Sequence, residues 1–401
     1  MTSRARTALI IGGGIAGPAT AMAMQKAGID SVVYEAHPTV ADGVGVFLTL
    51  GSNGVDALRV LGADQPVLAA GFPTPGITLR SGTGKRLGEA RTGRTLPDGT
   101  TSQTMRREDL YRLLHEETSR RGVRVEHGKR LVAAEETGDG VRAVFADGSE
   151  AVGDILIGCD GVHSTVRSLI DPGAPSPTYA GLLTTGGYAR GVNVETVPGS
   201  YEMIFGKRAF FGYASAPDGE VWWFANVPRR VEPARGEMAG IGGADWRRGL
   251  LELYADDAGP AAALIQASSM MTALSPIHTV PHLPMWHRGR MIVVGDAAHA
   301  PSPTSGQGAS LSIEDAVVLA QRLRDLPTPG AAFARFEALR RPRVERIIRA
   351  AARINNSKAA SPVGRVLRDA MLPVILRMTA DGKAHRQTYD HHIDWDTPAP
   401  S

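Results

Sequence analysis

The chain has 401 residues and a mass of 42.4 kDa, which at roughly 150 residues per domain points to two domains. Its 43% hydrophobic and 21% charged content exclude a disordered tail, and 47 glycines without a three-residue period exclude collagen. The 44 basic and 41 acidic side chains leave a net charge of +3, too small and too evenly spread for a nucleic-acid binder.

The first segment offers a choice. Arg4 and Arg6 precede an apolar run and Ala21-Met22-Ala23 imitates a leader cleavage site, but glycines at 12, 13 and 14 and Pro18 interrupt the run. A strand over Thr7 to Ile11, a glycine turn, a helix over Pro18 to Ala27 and a second strand over Ser31 to Glu35 fit better. Ile77 to Leu87 alternates around Ser81-Gly82-Thr83-Gly84 and predicts a hairpin. Asp109 to Arg120 has helical spacing, and Val123–Val125, Val141–Phe145 and Asp154–Ile157 read as strands.

From Thr178 to His282 the composition changes, with three of the five tryptophans (Trp222, Trp223 and Trp246) in that stretch. Alternation over Arg208–Ala214 and Glu220–Val227 predicts an inserted, mainly antiparallel sheet. Met291 to Gly295 returns to a buried-strand pattern, and Ile313, Ala316, Val317, Ala320 and Leu323 recur at helical spacing. Six arginines between Arg340 and Arg353, interleaved with Glu345 and interrupted by Pro342, predict a solvated, broken helix. The last twenty or so residues read as a polar tail. No apolar run of about 18 residues occurs, so no membrane span is expected. The single cysteine, Cys159, excludes a disulfide framework and any CxxC site, and leaves a reducing cytoplasm as the expected compartment.

Gly12-Gly13-Gly14-Ile15-Ala16-Gly17 follows a strand and opens a helix, the arrangement that binds a dinucleotide. Gly12 turns the chain, Gly14 admits a pyrophosphate and Gly17 lets helix and strand approach. The backbone at Ile15 and Ala16 offers unpaired N–H groups to the phosphates. Glu35, about twenty residues on, suits a ribose diol and disfavours a 2'-phosphate, so FAD or NAD is expected over NADP at this turn. Two later segments choose between them: Ile157-Gly158-Cys159-Asp160-Gly161, and Gly295-Asp296 followed by Pro303, Gly306, Gln307 and Gly308.

On these three ordered motifs the chain resembles the group A FAD-dependent monooxygenases, the aromatic hydroxylases related to para-hydroxybenzoate hydroxylase. The resemblance spans roughly residues 5 to 355. It implies an α/β fold: a Rossmann-like FAD-binding domain (1–70, 100–177 and 283–360), an inserted mainly antiparallel β-sheet substrate domain (71–99 and 178–282), and a C-terminal helix and tail (361–401). It implies that Arg107, with Arg106 as fallback, reaches the pyrophosphate or ribityl chain, that Asp160 serves cofactor binding, and that Asp296 holds the ribityl hydroxyls. Pro303, Gly306, Gly308 and Ala309 would border the isoalloxazine ring, where N–H groups at a helix start stabilise negative charge on reduced flavin. The family often has Asn where Ser310 stands, and usually an Arg shortly before Gly43, where this chain reads Val40-Ala41-Asp42.

The activity implied is hydroxylation of an aromatic or polycyclic small molecule with dioxygen and NADPH or NADH, through a C4a-hydroperoxyflavin. The substrate-pocket candidates are Phe211, Tyr213, Trp223 and Phe224, with Tyr213 the expected catalytic hydrogen-bond partner. Core packing is the competing reading for alternating aromatics in a strand. No second GxGxxG follows a strand, so the nicotinamide is expected to visit transiently. Epoxidation and a non-catalytic flavin-binding regulator are the alternatives; a halogenase lacks support, because Trp223 to Pro228 only echoes that family's motif and carries no lysine. No metal is expected at His278, His282 and His287 or among His391, His392, Asp394 and Asp396. A monomer or homodimer, with no nucleic-acid or membrane partner, completes the expectation.

Overall fold

The computed structural model describes residues 5–39, 45–194, 196, 199–234, 236–358, 362–379 and 382–398. Its organising element is a six-stranded sheet in the order His287–Arg288, Met291–Val293, Ile155–Gly158, Thr7–Ile11, Asp30–Tyr34, Arg124–Glu126. All neighbours are parallel except the first pair. Ala8, Leu9, Ile10 and Ile11 of the central strand are buried, as befits a strand covered on both faces. Helices Ala16–Lys26 and Gly308–Asp325 pack together beside it.

A second sheet runs Ser268–Met271, Thr178–Ala189, Val221–Pro228, Phe210–Ser215, Tyr201–Phe205, Gly76–Ser81, Arg86–Arg91, with Ser275–Thr279 also on Thr178–Ala189. Only Tyr201–Phe205 and Gly76–Ser81 pair in parallel. One face is covered by helices Gly243–Tyr254 and Ala261–Ala267, whose Leu250, Tyr254, Leu264 and Ile265 join a buried cluster with Phe211, Tyr213 and Trp223. The other face turns toward strands Phe47–Leu50 and Gln103–Arg106, where Tyr188 donates its hydroxyl to the Val46 carbonyl at 3.0 Å.

The C-terminal third departs from the sequence reading. Helix Pro329–Lys358 runs through Pro342 without a break. Arg340 and Arg343 are buried, not solvated, because two buried acids of helix Gly308–Asp325, Glu314 and Asp315, pair with them. Nor is the tail loose. Helix Lys383–Tyr389 is followed by an extended end in which Ile393 is buried and Gln321 Nε2 donates to the carbonyls of Asp394 and Thr397 at 2.6 and 3.0 Å. Among the described residues, no helix is long and apolar enough to cross a membrane.

Candidate active site

The glycine turn lies where the first strand meets helix Ala16–Lys26. Gly12 has φ +105°, and a Cβ there would stand 2.4 Å from the Cys159 carbonyl oxygen. A Cβ on Gly17 would stand 1.9 Å from the Gly12 carbonyl, so both positions are closed by protein. Gly14 differs: its Cβ would meet only the Tyr111 ring, at 3.8 Å. Packing within the chain therefore does not require glycine at 14, whereas a group approaching the backbone from outside would. Glu35 sits alongside, accepting from the Gly13 N–H at 2.5 Å and the His37 N–H at 2.8 Å. Each of its oxygens keeps a further lone pair for a hydroxyl.

Arg107 opens helix Arg107–Arg120 and points into the protein. Its terminal nitrogen donates to the Tyr111 hydroxyl at 3.2 Å, but its buried Nε has no hydrogen-bond partner. A buried guanidinium N–H without an acceptor is costly and signals a missing anion or oxygen. Arg106 turns the other way, to Glu220, with its guanidinium 4.7 Å from the Tyr188 ring centre.

Asp296 follows Gly295, whose φ is +58°, and its carboxylate receives no hydrogen bond from any described residue. Burial raises its pKa, against the attraction of His299 and Arg107. One of its oxygens would lie 3.7 Å from a Cβ on Gly308, the first residue of helix Gly308–Asp325. The N–H groups of Gly308, Ala309 and Ser310 have no earlier carbonyl in the helix, and Gln307 at the cap supplies no side-chain acceptor. Pro303–Ser305 and Gly306, with φ +60°, form the approach to that helix end. Three unsatisfied features, an arginine N–H, a carboxylate and a helix start, thus accompany the open glycine turn. This donor and acceptor set fits FAD.

Asp160 and Ser310 are held by neighbouring residues. Asp160 accepts from Ser164 Oγ at 2.5 Å and from the Thr165 and Val166 N–H groups at 2.7 and 3.0 Å. Its carboxylate starts helix Thr165–Ile170, and its backbone forms the floor under Gly12, so it shapes the turn from below. Ser310, where Asn is common in the family, accepts from the Gly51 N–H at 3.1 Å and lies so close to Gly54 that a Cβ there would be 2.6 Å from its hydroxyl. Helix Ser52–Leu61 occupies the space a longer side chain would need. Gly43 and the stretch Val40-Ala41-Asp42 lie outside the described residues.

Behind the ring loop is a network absent from the sequence reading. Asn53 Nδ2 donates to Gln307 at 3.0 Å and to Glu314 at 2.6 Å. Arg340 bridges Glu314 and Asp315 at 2.6 Å each, and Arg343 donates to Glu314 at 2.7 Å and to the Thr388 carbonyl at 2.7 Å. Asp315 in turn accepts from the Gly295 N–H at 2.9 Å and contacts His299 Nε2 at 2.5 Å. The detectable signal was Glu314-Asp315 within the apolar stripe: two acids there demand buried counter-charges. Cys159 lies against Thr20, and burial pushes its thiol upward, so it holds no thiolate.

The aromatic pocket assignment is corrected for three of its four residues. Phe211, Tyr213 and Trp223 lie in the core between the sheet and its covering helices, with Phe211 stacked 5.4 Å from Trp223. Trp223 Nε1 donates to Ser268 and Tyr213 donates to Glu202 at 3.1 Å. The cause is parity, because successive residues in a strand face opposite sides and odd and even positions exchange core for site. Phe224 belongs to the face toward Phe47, with ring centres 5.8 Å apart. Tyr213→Phe is expected to lower stability by about 1 kcal/mol, one lost hydrogen bond, and to leave flavin content and turnover unchanged. Chemical denaturation and NAD(P)H oxidation measure both; a loss of turnover at wild-type stability would restore Tyr213 to the site.

Among the described residues, no group of three His, Cys, Asp or Glu side chains is placed to hold a metal. The family described as FAD binding domain matches residues 5–234 and 246–351. The chain is 30% identical over 353 residues to the aurachin C monooxygenase/isomerase of Stigmatella aurantiaca, covering 87% of this chain and 88% of that one. It is 32% identical over 350 residues to an FAD-dependent urate hydroxylase of Klebsiella pneumoniae, covering 85% and 87%. Among solved structures, Klebsiella pneumoniae HpxO with FAD and uric acid superposes with a TM-score of 0.82 at 26% identity, covering 95% and 97%. The fold and the glycine turn define an FAD-binding protein. The chain belongs to the group A FAD-dependent monooxygenases.

Proposed function

We propose that this protein hydroxylates an aromatic small molecule, using FAD, NADPH or NADH, and dioxygen. The observation that carries the site is the convergence of the orphaned Arg107 Nε, the unpartnered Asp296 carboxylate and the open start of helix Gly308–Asp325. The backbone around Gly12, Gly14, Ile15 and Ala16 would hold the pyrophosphate, Glu35 the adenosine ribose, Arg107 the pyrophosphate or ribityl chain, and Asp296 the ribityl hydroxyls. Pro303, Gly306, Gly308 and Ala309 would border the flavin ring. Bound there, FAD supplies electron transfer from the nicotinamide to dioxygen and delivery of one oxygen atom to the substrate. The protein holds negative charge near the helix start, positions the aromatic ring and keeps water out.

In this reading segments 1–70, 100–177 and 283–360 bind the cofactor and segments 71–99 and 178–282 cover the substrate. The protein would act in the cytoplasm as a monomer or homodimer. Purified protein is expected to show flavin absorbance or to acquire it on adding FAD; a chain that does neither contradicts the proposal. Asp296→Ala is expected to weaken FAD affinity about tenfold, the value of one strong polar contact, measured by flavin fluorescence. Full FAD occupancy and activity in that variant would remove Asp296 from the site.

A further inference from the structure

Helix Pro362–Thr379 turns an apolar side to solvent. Val366, Leu367, Ala370, Met371, Val374 and Ile375 recur at the spacing that lines one side of a helix, and all six are exposed. The five larger ones are between 45 and 73% exposed. Charge lies on the other side, toward the protein. Arg368 stands 4.7 Å from the Phe205 ring centre and pairs with Asp369 at 2.7 Å, while Arg365 donates to the Lys207 carbonyl. Leu372 and Leu376 seat the helix on a cluster of Leu79, Leu87, Phe205 and Phe210. A surface helix ordinarily shows water its polar side. Single exposed apolar residues are common, but a continuous row of them marks a contact surface.

The charges around the row argue against a lipid surface. A helix that lies on a membrane offers Lys or Arg beside its apolar side to anionic headgroups. Here Arg365 and Arg368 are engaged by this chain, and on the bordering strand Arg86–Arg91, Arg86 is paired with Glu89. The order of the residues suits a second copy instead. Large side chains stand at both ends, Val366 and Leu367 at one and Val374 and Ile375 at the other, with the small Ala370 between them. Two such rows laid antiparallel about a two-fold axis are self-complementary, Ala370 lets the helices approach, and no charge in the row meets its own copy. The row spans ~14 Å and presents on the order of a few hundred Å² of apolar surface. That is below the ~800 Å² per partner of a standard interface, so with the bordering strand as its rim it suits a weak dimer.

We infer that this protein forms a two-fold dimer by antiparallel pairing of helix Pro362–Thr379 with a second copy of itself, Val366 and Leu367 of one protomer meeting Val374 and Ile375 of its partner. Sedimentation of the full chain from about 1 to 200 µM is expected to show monomer passing into dimer, with a dissociation constant on the order of 10 µM. Met371→Glu sets like charges against each other at the axis and should raise that constant at least tenfold, with flavin content and melting temperature as in wild type. Cross-linking reads the geometry. In Ala370→Cys the oxidant diamide should join two protomers by a disulfide, whereas in Val366→Cys the two copies lie ~13 Å apart along the helices, beyond disulfide reach, and should stay separate. The native Cys159 is buried and does not compete. A wild type that is monomeric at the highest concentration, a dimer that Met371→Glu leaves intact, or cross-linking at 366 in place of 370 overturns the proposal. So does a monomer that co-sediments with phosphatidylglycerol vesicles, which would give this side of the helix to a membrane. Should Met371→Glu fold poorly, the two cysteine variants decide.

Discussion

Replacing Gly14 with alanine is expected to abolish FAD retention while leaving the FAD-free protein as stable as wild type. The two halves of that result have different physical sources. In the protein a Cβ at 14 meets only the Tyr111 ring at 3.8 Å, an ordinary contact that costs nothing. With FAD bound, the same methyl would stand between backbone and pyrophosphate, and a loss of about 100-fold in affinity, ~2.7 kcal/mol, is expected. Wild-type protein at 100 times its dissociation constant gains about the same ~2.7 kcal/mol of stability from the ligand. At that FAD concentration the variant should gain only ~0.4 kcal/mol, so its melting temperature should rise far less than that of wild type. Gly17→Ala makes the contrast, because its Cβ would lie 1.9 Å from the Gly12 carbonyl oxygen and must displace backbone. It should be destabilised without FAD, by about 1–3 kcal/mol or more. Unchanged FAD affinity in Gly14→Ala would mean that the pyrophosphate lies elsewhere.

Arg340→Met is expected to be the most destabilising single change away from the cofactor, by about 3–5 kcal/mol, because it leaves two buried carboxylates short of a partner. Arg340 is 1% exposed and holds both Glu314 and Asp315. Burial raises the pKa of each acid, but for Glu314 the nearby Arg340 and Arg343 outweigh it and bring the group down to about 2. For Asp315, His299 and Arg340 do the same, again to about 2. Both native values lie below the unfolded carboxylate range near 4, so the stability they contribute is present at neutral pH. It is lost as pH falls from about 4 toward 2. In Arg340→Met the native values rise, and acid unfolding should begin at higher pH. Urea denaturation from pH 7 down to pH 3 measures the shift; coincident curves would show that the network contributes nothing net. The ring loop should loosen too, since Asn53 ties Gln307 to Glu314.

The cofactor half of the molecule was legible because its chemistry constrains neighbours in sequence. A turn needs its glycines within six residues, and the strand before it and helix after it are fixed by the same short segment. The antiparallel sheet was legible as strands but not as faces. Phe211 and Phe224 satisfy the same alternation, and which parity meets the covering helices depends on Leu250 and Leu264, far along the chain. The docked tail and the inward arginines were hidden for a related reason. Arg343 reads as surface by local charge pattern, yet Glu314 and the Thr388 carbonyl bind it from two other helical segments. Asn53 left a faint signal, a polar residue inside Gly51-Ser52-Asn53-Gly54, whose partner Glu314 is 261 positions away.

The strand order of the six-stranded sheet also dictates when the protein can come into being during synthesis. Thr7–Ile11 sits at its centre, with Asp30–Tyr34 on one side and Ile155–Gly158 on the other. One flank is available almost at once, but the other requires the chain to reach residue 158, and the strand beyond that, Met291–Val293, comes later still. Until then the central strand exposes an apolar edge to solvent or to a chaperone. The helix start at Gly308 and the Arg340 ties follow only after most of the chain has left the ribosome. FAD thus meets a completed cradle late in biogenesis, and nascent chains stalled before residue 293 should be aggregation-prone and empty of flavin.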